Sequence, residues 1–251
     1  MTVIAHLSDI HVDGDERSVR RTRAVMAYLE ELPYDLDAVL VTGDIADHGL
    51  PDEYERAREA LVSRHPVMVC PGNHDERAAF RQFLLGRPGT AGPVNEVRQL
   101  PGAVIALCDS SVPGKAEGYL EDETLTWLED VLDRAPDGVP VLVGFHHPPV
   151  PLHVPYVDGI RQFGAGRLAA VAERHPGLTA FLCGHAHTPA ATTFAGRPLL
   201  VAPGVTSSIR LPWERQDHPG HHVHLDQPPA LAFHVLGEDG RLTTHHRWVS
   251  A

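Results

Sequence analysis

The chain has 251 residues, long enough for one large domain, and its 43% hydrophobic and 22% charged residues are ordinary for a globular protein. Its 33 acidic and 21 basic residues give a formal net charge of −12. This balance argues against a general binder of nucleic acids or membrane surfaces, because both functions favour a basic face. Eighteen histidines form the unusual feature and make a metal site worth testing.

Strand-like and helix-like segments alternate through the first three quarters of the chain. Apolar runs that end in polar residues predict strands over 3–11, 37–45, 67–75, 102–111, 140–149 and 178–187. Segments with helical spacing separate them at 16–32, 52–64, 76–85, 121–134 and 164–174. Several runs are almost continuously apolar, which is typical of strands covered on both faces. The alternation predicts a layered α/β fold.

The last part of the chain has a different pattern. Residues 192–204 and 230–249 each read as a β-hairpin. Residues 206–229 lie between them, are rich in Pro, His and Asp, and show no period, which predicts a long active-site loop or lid. Without a repeat or a clear linker, we expect a single domain over 1–251.

The chain carries three cysteines, Cys70, Cys108 and Cys183, each in or at the end of an apolar run. An odd number of thiols in such positions predicts buried, reduced side chains and a reducing compartment. We find no signal-peptide pattern at the N-terminus and no apolar run long enough to cross a bilayer. These features predict a cytoplasmic protein without a membrane partner.

Metal-binding residue types follow five of the predicted strands. They are Asp9 and His11, Asp44, Asn73 and His74, His146 and His147, and His185 and His187. Ligand sites of open α/β sheets form beyond the carboxyl ends of the strands, so these residues are expected to meet at one rim. If the strands continue through them, the pairs 9/11 and 185/187 share a face, because the strand period is two. Each motif alone also fits a helix cap or a turn, but five in order predict a metal site.

This ordered set resembles the calcineurin-like metallophosphoesterase family. The matching motifs are "DIH" (9–11), "GDIADHG" (43–49), "GNHD" (72–75), "HHPP" (146–149) and "GHAH" (184–187). Their spacing, the "GHAHT" ending and "APGVTSS" (202–208) are most similar to bacterial class III 3′,5′-cyclic-nucleotide phosphodiesterases. The resemblance implies an α/β fold in which a layered β-sandwich of two mixed sheets is flanked by helices.

The resemblance also implies two metal ions. One would be held by Asp9, His11, Asp44 and His187, and the second by Asp44, Asn73, His146 and His185. Two dications roughly 3.5–4 Å apart need a shared anion, which the bridging carboxylate of Asp44 supplies. Mixed carboxylate, imidazole and amide ligands favour Mn, Fe or Zn ions.

The residues alone leave open which of His146 and His147 binds metal. The family pattern favours His146, and Pro148 and Pro149 fix the chain behind it. The alternatives for His147 are a supporting contact, a position in the substrate pocket, or a satisfied polar group.

The implied mechanism is attack of a metal-bridging hydroxide on phosphorus. His74 would stabilise the transition state or protonate the leaving oxygen, and Asp47 would orient His74, although Asp47 also fits a helix or turn cap. Asn73, His74, His147 and His187 would contact the substrate. Protein phosphatases of this superfamily carry Arg where this chain has His48, which favours diesters over phosphoprotein monoesters.

The resemblance therefore implies a phosphodiesterase for 3′,5′-cyclic nucleotides such as cAMP. An alternative substrate class is glycerophosphodiesters or other small phosphate esters. A remote alternative is a non-catalytic metal-binding scaffold, although scaffolds on this fold usually lose ligands and all seven are present. The partner would be a small-molecule phosphodiester, and the terminal hairpins are compatible with a homodimer.

Overall fold

The computed structural model describes residues 1–214 and 222–251, so 215–221 of the predicted lid lie outside the described residues. The described strands are β1 Thr2–Leu7, β2 Ala38–Thr42, β3 Val67–Cys70, β4 Glu96–Leu100, β5 Ala103–Leu107, β6 Gly118–Tyr119, β7 Val141–Gly144, β8 Gln162–Phe163, β9 Leu178–Cys183, β10 Ala190–Phe194, β11 Arg197–Val201, β12 Ser208–Ile209, β13 Val223–His224, β14 Ala230–Leu236 and β15 Leu242–Trp248. The helices are α1 Glu16–Glu30, α2 Pro51–Ala60, α3 Arg77–Ala79, α4 Asp122–Arg134, α5 Pro155–Gly159 and α6 Ala165–Arg174. A π-helical turn, Phe80–Leu84, continues α3.

Two mixed sheets form the centre of the fold. The first has the order β15-β14-β1-β2-β3, with β1, β2 and β3 parallel and β14 and β15 added antiparallel. The second has the order β10-β11-β9-β7-β5-β4, with a parallel centre and antiparallel edges β10 and β4. Strands β12 and β13 form a small antiparallel pair, and β6 and β8 a small parallel pair.

The sheets pack face to face with helices outside them. An apolar layer between the sheets joins residues such as Leu40 and Met68 of the first to Leu142 and Leu182 of the second. A second core packs α1 and α2 on the first sheet, and a third packs α4 and α6 on the second. Strands in the middle are covered on both faces, which explains their continuous apolar runs. The predicted sandwich of two mixed sheets flanked by helices is confirmed.

Several predicted strands are too long at their carboxyl ends. Strand β1 ends at Leu7, β2 at Thr42, β7 at Gly144 and β9 at Cys183, two residues before each predicted ligand. The sequence pattern also missed the short helix α5 and the two small strand pairs, since elements of two to five residues give almost no periodic signal.

The three cysteines are buried free thiols. Among the described residues, no helix has the length and apolar character that a bilayer crossing requires.

Candidate metal centre

Five loops at the carboxyl ends of β1, β2, β3, β7 and β9 carry the predicted ligands, and we call them the ligand loops (8–12, 43–47, 71–75, 145–149 and 184–188). Backbone hydrogen bonds tie neighbouring loops together. The amide of Asp9 donates to Gly43 O (3.1 Å), and the amide of Gly184 donates to His146 O (3.0 Å). Because the carboxyl ends of both sheets meet on one side, residues from five distant parts of the chain reach one rim.

Five of the seven predicted ligands lie on unusual backbone. Asp9, His11, Asp44, His185 and His187 have φ between 40° and 68°, and only Ala195 and His153 join them among the described non-glycine residues with positive φ. This left-handed region is unfavourable for residues with a Cβ atom and is enriched at functional sites. The prediction that 9/11 and 185/187 share the face of an extended strand is wrong, because strand geometry has already ended. The turns, and not the strand period, aim these side chains.

Four side chains form the first cluster. The Nε2 atom of His187 lies 3.3 Å from Asp9 Oδ1 and 3.3 Å from His11 Nε2. His11 Nε2 lies 3.5 Å from Asp44 Oδ2. The ligand atoms of all four lie within 4.8 Å of one another. This is the set predicted for the first metal.

The second cluster adjoins the first through Asp44. His146 Nε2 lies 3.3 Å from Asp44 Oδ2 and 3.2 Å from His185 Nδ1. Asn73 Oδ1 lies 3.2 Å from His147 Nε2. The ring nitrogens of His146, His147 and His185 lie within 4.8 Å of one another. Asp44 therefore lies between both groups, as a bridging ligand must.

The geometry distinguishes His146 from His147. His146 donates from Nδ1 to the carbonyl of Thr42 (2.7 Å), and its Nε2 lies 3.3 Å from Asp44 Oδ2. A metal-binding imidazole is typically oriented in this way by a hydrogen bond from its other nitrogen. His147 is fully buried behind Asn73 and does not line the cavity at the site, so its predicted contact with substrate is not supported by this position. Its place fits a support for Asn73.

The sequence did not reveal the residues that hold the imidazoles from behind. His187 Nδ1 lies 2.8 Å from Ser207 Oγ, and His147 Nδ1 lies 2.9 Å from Ser110 Oγ. Ser110 follows β5, and Ser207 lies in the "APGVTSS" segment. A serine after a strand is too common a pattern to identify such a role without the fold.

Asp47 acts differently from the sequence interpretation. Its carboxylate accepts a hydrogen bond from His11 Nδ1 (2.8 Å), whereas the Nδ1 atom of His74 lies 3.6 Å from that carboxylate. His74 instead donates from Nδ1 to the backbone carbonyl of Asp47 (2.8 Å). The side chain of Asp47 therefore orients a predicted ligand, and its backbone orients the predicted catalytic histidine.

Asp75, read from the sequence only as a cap or turn residue, joins two ligand loops. Its buried carboxylate accepts hydrogen bonds from the amides of Gly72 (2.8 Å), Ala46 (3.0 Å) and Ile45 (3.1 Å), and from the hydroxyl of Tyr54 (3.1 Å). Burial and the charge of Asp44 raise the pKa of Asp75 to about 6. Gly72 is required here because a Cβ atom would overlap the carboxylate of Asp44.

The electrostatics of the centre suit cations. Burial opposes ionisation of Asp44, but the nearby His146 and His11 hold its pKa well below the usual value, so it is a carboxylate. Burial lowers the pKa of His185 and of His187, which leaves both neutral with a lone pair. For His146, burial lowers the pKa but Asp44 outweighs it and raises the pKa to about 9.

Two buried polar atoms at this rim have no hydrogen-bond partner. They are Asp9 Oδ1 and His185 Nε2, and such atoms are costly to bury unless something binds them. Both belong to the residues predicted to hold metal. Together with carboxylate, imidazole and amide donors and no thiolate, they fit a pair of transition-metal ions.

A cavity of about 440 Å³ opens on the ligand loops. Its lining includes His11, Asp44, Asn73, His74, His185 and His187. The lining also includes Tyr156, Ile160, Val223 and Leu225, which we call the apolar wall. Its volume suits a small organic ligand. Trp213 does not line this cavity, so it is not placed to cover a ligand there.

Comparisons with known proteins agree with this geometry. The sequence profile described as "Calcineurin-like phosphoesterase" matches residues 2–189. "Glycerophosphodiester phosphodiesterase GpdQ" of Enterobacter lignolyticus is 31% identical over 262 aligned residues, covering 99% of this chain and 89% of the relative. "Probable cyclic nucleotide phosphodiesterase" of Rhodococcus erythropolis is 36% identical, covering 79% of this chain and 69% of the relative.

A solved structure supports the fold. The dimetal phosphatase of Danio rerio superposes with a TM-score of 0.69 and covers 99% of both chains at 17% identity. At that identity the likeness concerns the arrangement of sheets and helices alone.

Proposed function

The chain belongs to the calcineurin-like phosphoesterase family, and from that premise we propose that it is a dinuclear metal-dependent phosphodiesterase for 3′,5′-cyclic nucleotides such as cAMP. One observation carries the proposal: Asp44, which lines a cavity that also has apolar lining, contacts His11 of the first cluster (3.5 Å) and His146 of the second (3.3 Å). A phosphodiester joins a charged phosphoryl group to organic groups, and the polar and apolar parts of this lining suit those two groups.

The donors divide into two sets around Asp44. We propose that Asp9, His11 and His187 hold one ion and that Asn73, His146 and His185 hold the other. When bound, such a pair of ions supplies Lewis-acid stabilisation of phosphoryl oxygens and activation of the attacking water. Mn, Fe and Zn are the proposed metals, since the donors are mixed nitrogen and oxygen.

His74 is the proposed acid for the leaving group. Its Nδ1 atom is held by the backbone of Asp47, so the ring presents Nε2 to the cavity that it lines. In its protonated form, Nε2 donates the proton to the departing oxygen or a hydrogen bond to a phosphoryl oxygen. The amide of His74 donates to Asp44 Oδ1 (3.0 Å), which fixes the position of the ring relative to the clusters.

His48 supports a diester over a phosphoprotein monoester. Its side chain is 63% exposed and pairs with Glu53 (2.7 Å), and it does not line the cavity. It therefore offers no guanidinium that would grip the second charge of a monoester.

Glycerophosphodiesters are the second candidate substrate class. This alternative is supported by the relative with that printed name, which aligns with 99% of the chain. The ligand clusters serve either diester, so the discriminating contacts must lie elsewhere in the cavity.

Four secondary proposals accompany the function. The buried free thiols support a reducing, cytoplasmic location. The partner is a small phosphodiester, and a homodimer, compatible with the terminal hairpin of β14 and β15, is testable by light scattering. The chain's net charge of −12 disfavours general nucleic-acid binding.

A hydrolysis panel on metal-reconstituted protein tests the function. The panel compares cAMP, 2′,3′-cyclic AMP, bis-p-nitrophenyl phosphate, glycerophosphoethanolamine and p-nitrophenyl phosphate. We expect the highest kcat/KM for cAMP. A clear preference for p-nitrophenyl phosphate would overturn the diester assignment, and a preference for glycerophosphoethanolamine would establish the second candidate.

A further inference from the structure

The apolar wall is an unusual surface. Tyr156, Val223 and Leu225 are 56%, 51% and 52% exposed, and all three line the cavity above the ligand loops. Exposed apolar side chains that converge on one concave surface indicate a binding region, whereas scattered ones need no explanation.

Tyr156 is held as a flat aromatic surface. The ring of His222 stacks on it with centroids 5.7 Å apart and planes inclined by 21°. Tyr156 lies in α5, and the buried side chains of Val157 in the helix and Val154 just before it pack in the core. Asp158 Oδ1 also accepts the amide of Leu152 (2.7 Å). These contacts hold α5 in place and leave the ring of Tyr156 exposed.

Strand β13 is fixed as well. Val223 in β13 pairs with Ile209 in β12, and the carbonyl of His222 accepts the amide of Arg210 (2.8 Å). The carbonyl of Leu225 accepts a hydrogen bond from the Arg17 guanidinium. Strand β12 directly follows Ser207, which contacts the ligand His187. The wall and the metal centre are thus positioned by the same segments of chain.

The acidic residues at the rim of the cavity have other roles. Asp13 accepts the hydroxyl of Ser18 (2.8 Å), and Asp15 caps α1 by accepting the amide of Arg17 (3.2 Å). Their presence is explained by the start of α1, whereas the ring of Tyr156 remains 56% exposed beside its stacking contact with His222. This contrast favours a planar, neutral group over a cationic headgroup as the occupant.

We propose that the apolar wall is the subsite for the base of the nucleotide, with Tyr156 stacking on the base and His222 supporting Tyr156. This inference rests on the proposed function, because the base is that of the cyclic nucleotide. Stacking of a base on an aromatic side chain changes affinity by roughly 5- to 150-fold. The subsite selects among diesters that the metal ligands do not distinguish.

The test compares Y156A and Y156F with the control Y34A, which removes a tyrosine that is 81% exposed and does not line this cavity. We expect Y156A to raise the KM for cAMP by roughly 5- to 150-fold with kcat within about twofold. Y156F, which keeps the ring, and Y34A should match the wild type. For glycerophosphoethanolamine, which has no ring, Y156A should change kcat/KM less than about twofold, because no stacking is lost.

Calorimetric titration with adenosine separates this inference from the proposed function. If the wild type hydrolyses no cyclic nucleotide, the proposed function fails, but adenosine that binds the wild type and loses affinity in Y156A still supports an aromatic subsite. If cAMP is hydrolysed and Y156A has the KM of Y34A, the subsite is wrong. If Y156A lowers kcat/KM more for glycerophosphocholine than for cAMP, the base subsite is wrong and the apolar wall binds a cationic headgroup.

Discussion

The ligand loops and the apolar wall line the same cavity but are built differently. Asp9, Asp44, His146 and His185 are at most 5% exposed and lie in loops cross-linked by backbone hydrogen bonds. Tyr156, Val223 and Leu225 are at least half exposed and are held mainly through their neighbours. The buried side fixes where charge and protons lie, so it tolerates little change. Under the proposed function the exposed side contacts the organic part of the substrate, and we expect substitutions there to leave the fold intact.

The largest expected effect comes from removing the shared charge in D44N. The amide keeps the size of Asp44 but no longer supplies the anion between two cations. Loss of a residue that hydrogen-bonds to a metal ligand typically lowers metal affinity or activity about 10- to 100-fold. Loss of a bridging ligand itself should cost more, so we expect activity to fall by more than about a hundredfold. Hydrolysis rates and metal content by elemental analysis measure the effect.

D13N is the matched control, because it removes the same charge from the same cavity outside both clusters. Full activity and two metals per chain in D44N would show that the buried rim does not do the chemistry.

The next-largest effect is on the free energy of unfolding and concerns a buried pair of histidines, His6 and His234. His6 Nδ1 lies 3.0 Å from His234 Nε2, and His6 Nε2 lies 2.8 Å from Thr42 Oγ1. Burial lowers the pKa of His6 well below normal, and burial and His246 lower that of His234 to about 3. The unfolded chain therefore binds more protons than the folded one between pH 6.5 and about 3.

Because these folded-state pKa values are depressed, the stability that the pair contributes is complete above about pH 6.5 and is lost as pH falls. We expect the loss to be on the order of a few kcal/mol by pH 4. Urea unfolding at pH 7.5 and pH 4 should show a smaller pH difference for H234Q than for the wild type. H245Q, on the exposed face of β15, should behave as the wild type. An equal pH difference in the free energy of unfolding for all three proteins would show that the buried pair does not cause it.

A smaller effect is expected for D47N. This substitution replaces the carboxylate that accepts a hydrogen bond from His11 and keeps the backbone carbonyl that accepts one from His74. Metal affinity should fall about 10- to 100-fold, with turnover recovered at saturating metal. Competition with a chelator measures the affinity. H48Q, which alters the adjacent exposed side chain, is the control. Unchanged affinity with slower turnover would mean that Asp47 acts through His74, as the sequence suggested.

The smallest effect is expected for W213A. Trp213 is 72% exposed, like the residues of the apolar wall, but it does not line the cavity. Its removal should change the KM for cAMP less than about twofold, because no contact with the ligand is lost. A change as large as that expected for Y156A would show that exposure, and not position in the cavity, defines the substrate side.

Much of the buried side of the molecule was predictable from the sequence. Continuous apolar runs identified the central strands, and the polar residues after them identified the rim, because parallel strands end on one side of a sheet. The choice of His146 over His147 came from the family pattern, and the structure adds a reason: His146 Nε2 lies 3.3 Å from Asp44 Oδ2, whereas His147 Nε2 lies 3.2 Å from Asn73 Oδ1.

The remaining features depend on tertiary contacts that leave no local pattern. The positive φ of Asp9 or His187 breaks a backbone preference that sequence reasoning assumes. The role of Asp75 requires the loops after β2 and β3 to be adjacent. Tyr156 lies in the five-residue helix α5, and its stacking partner His222 is more than sixty residues away in the sequence. Neither residue forms part of a recognisable motif.

Anomalous diffraction from crystals of the metal-loaded protein tests the central claim most directly. We predict two peaks per chain on either side of Asp44, one beside Asp9, His11 and His187 and the other beside Asn73, His146 and His185. No peak at this rim, or metal bound only elsewhere, would contradict the assignment of a two-metal centre.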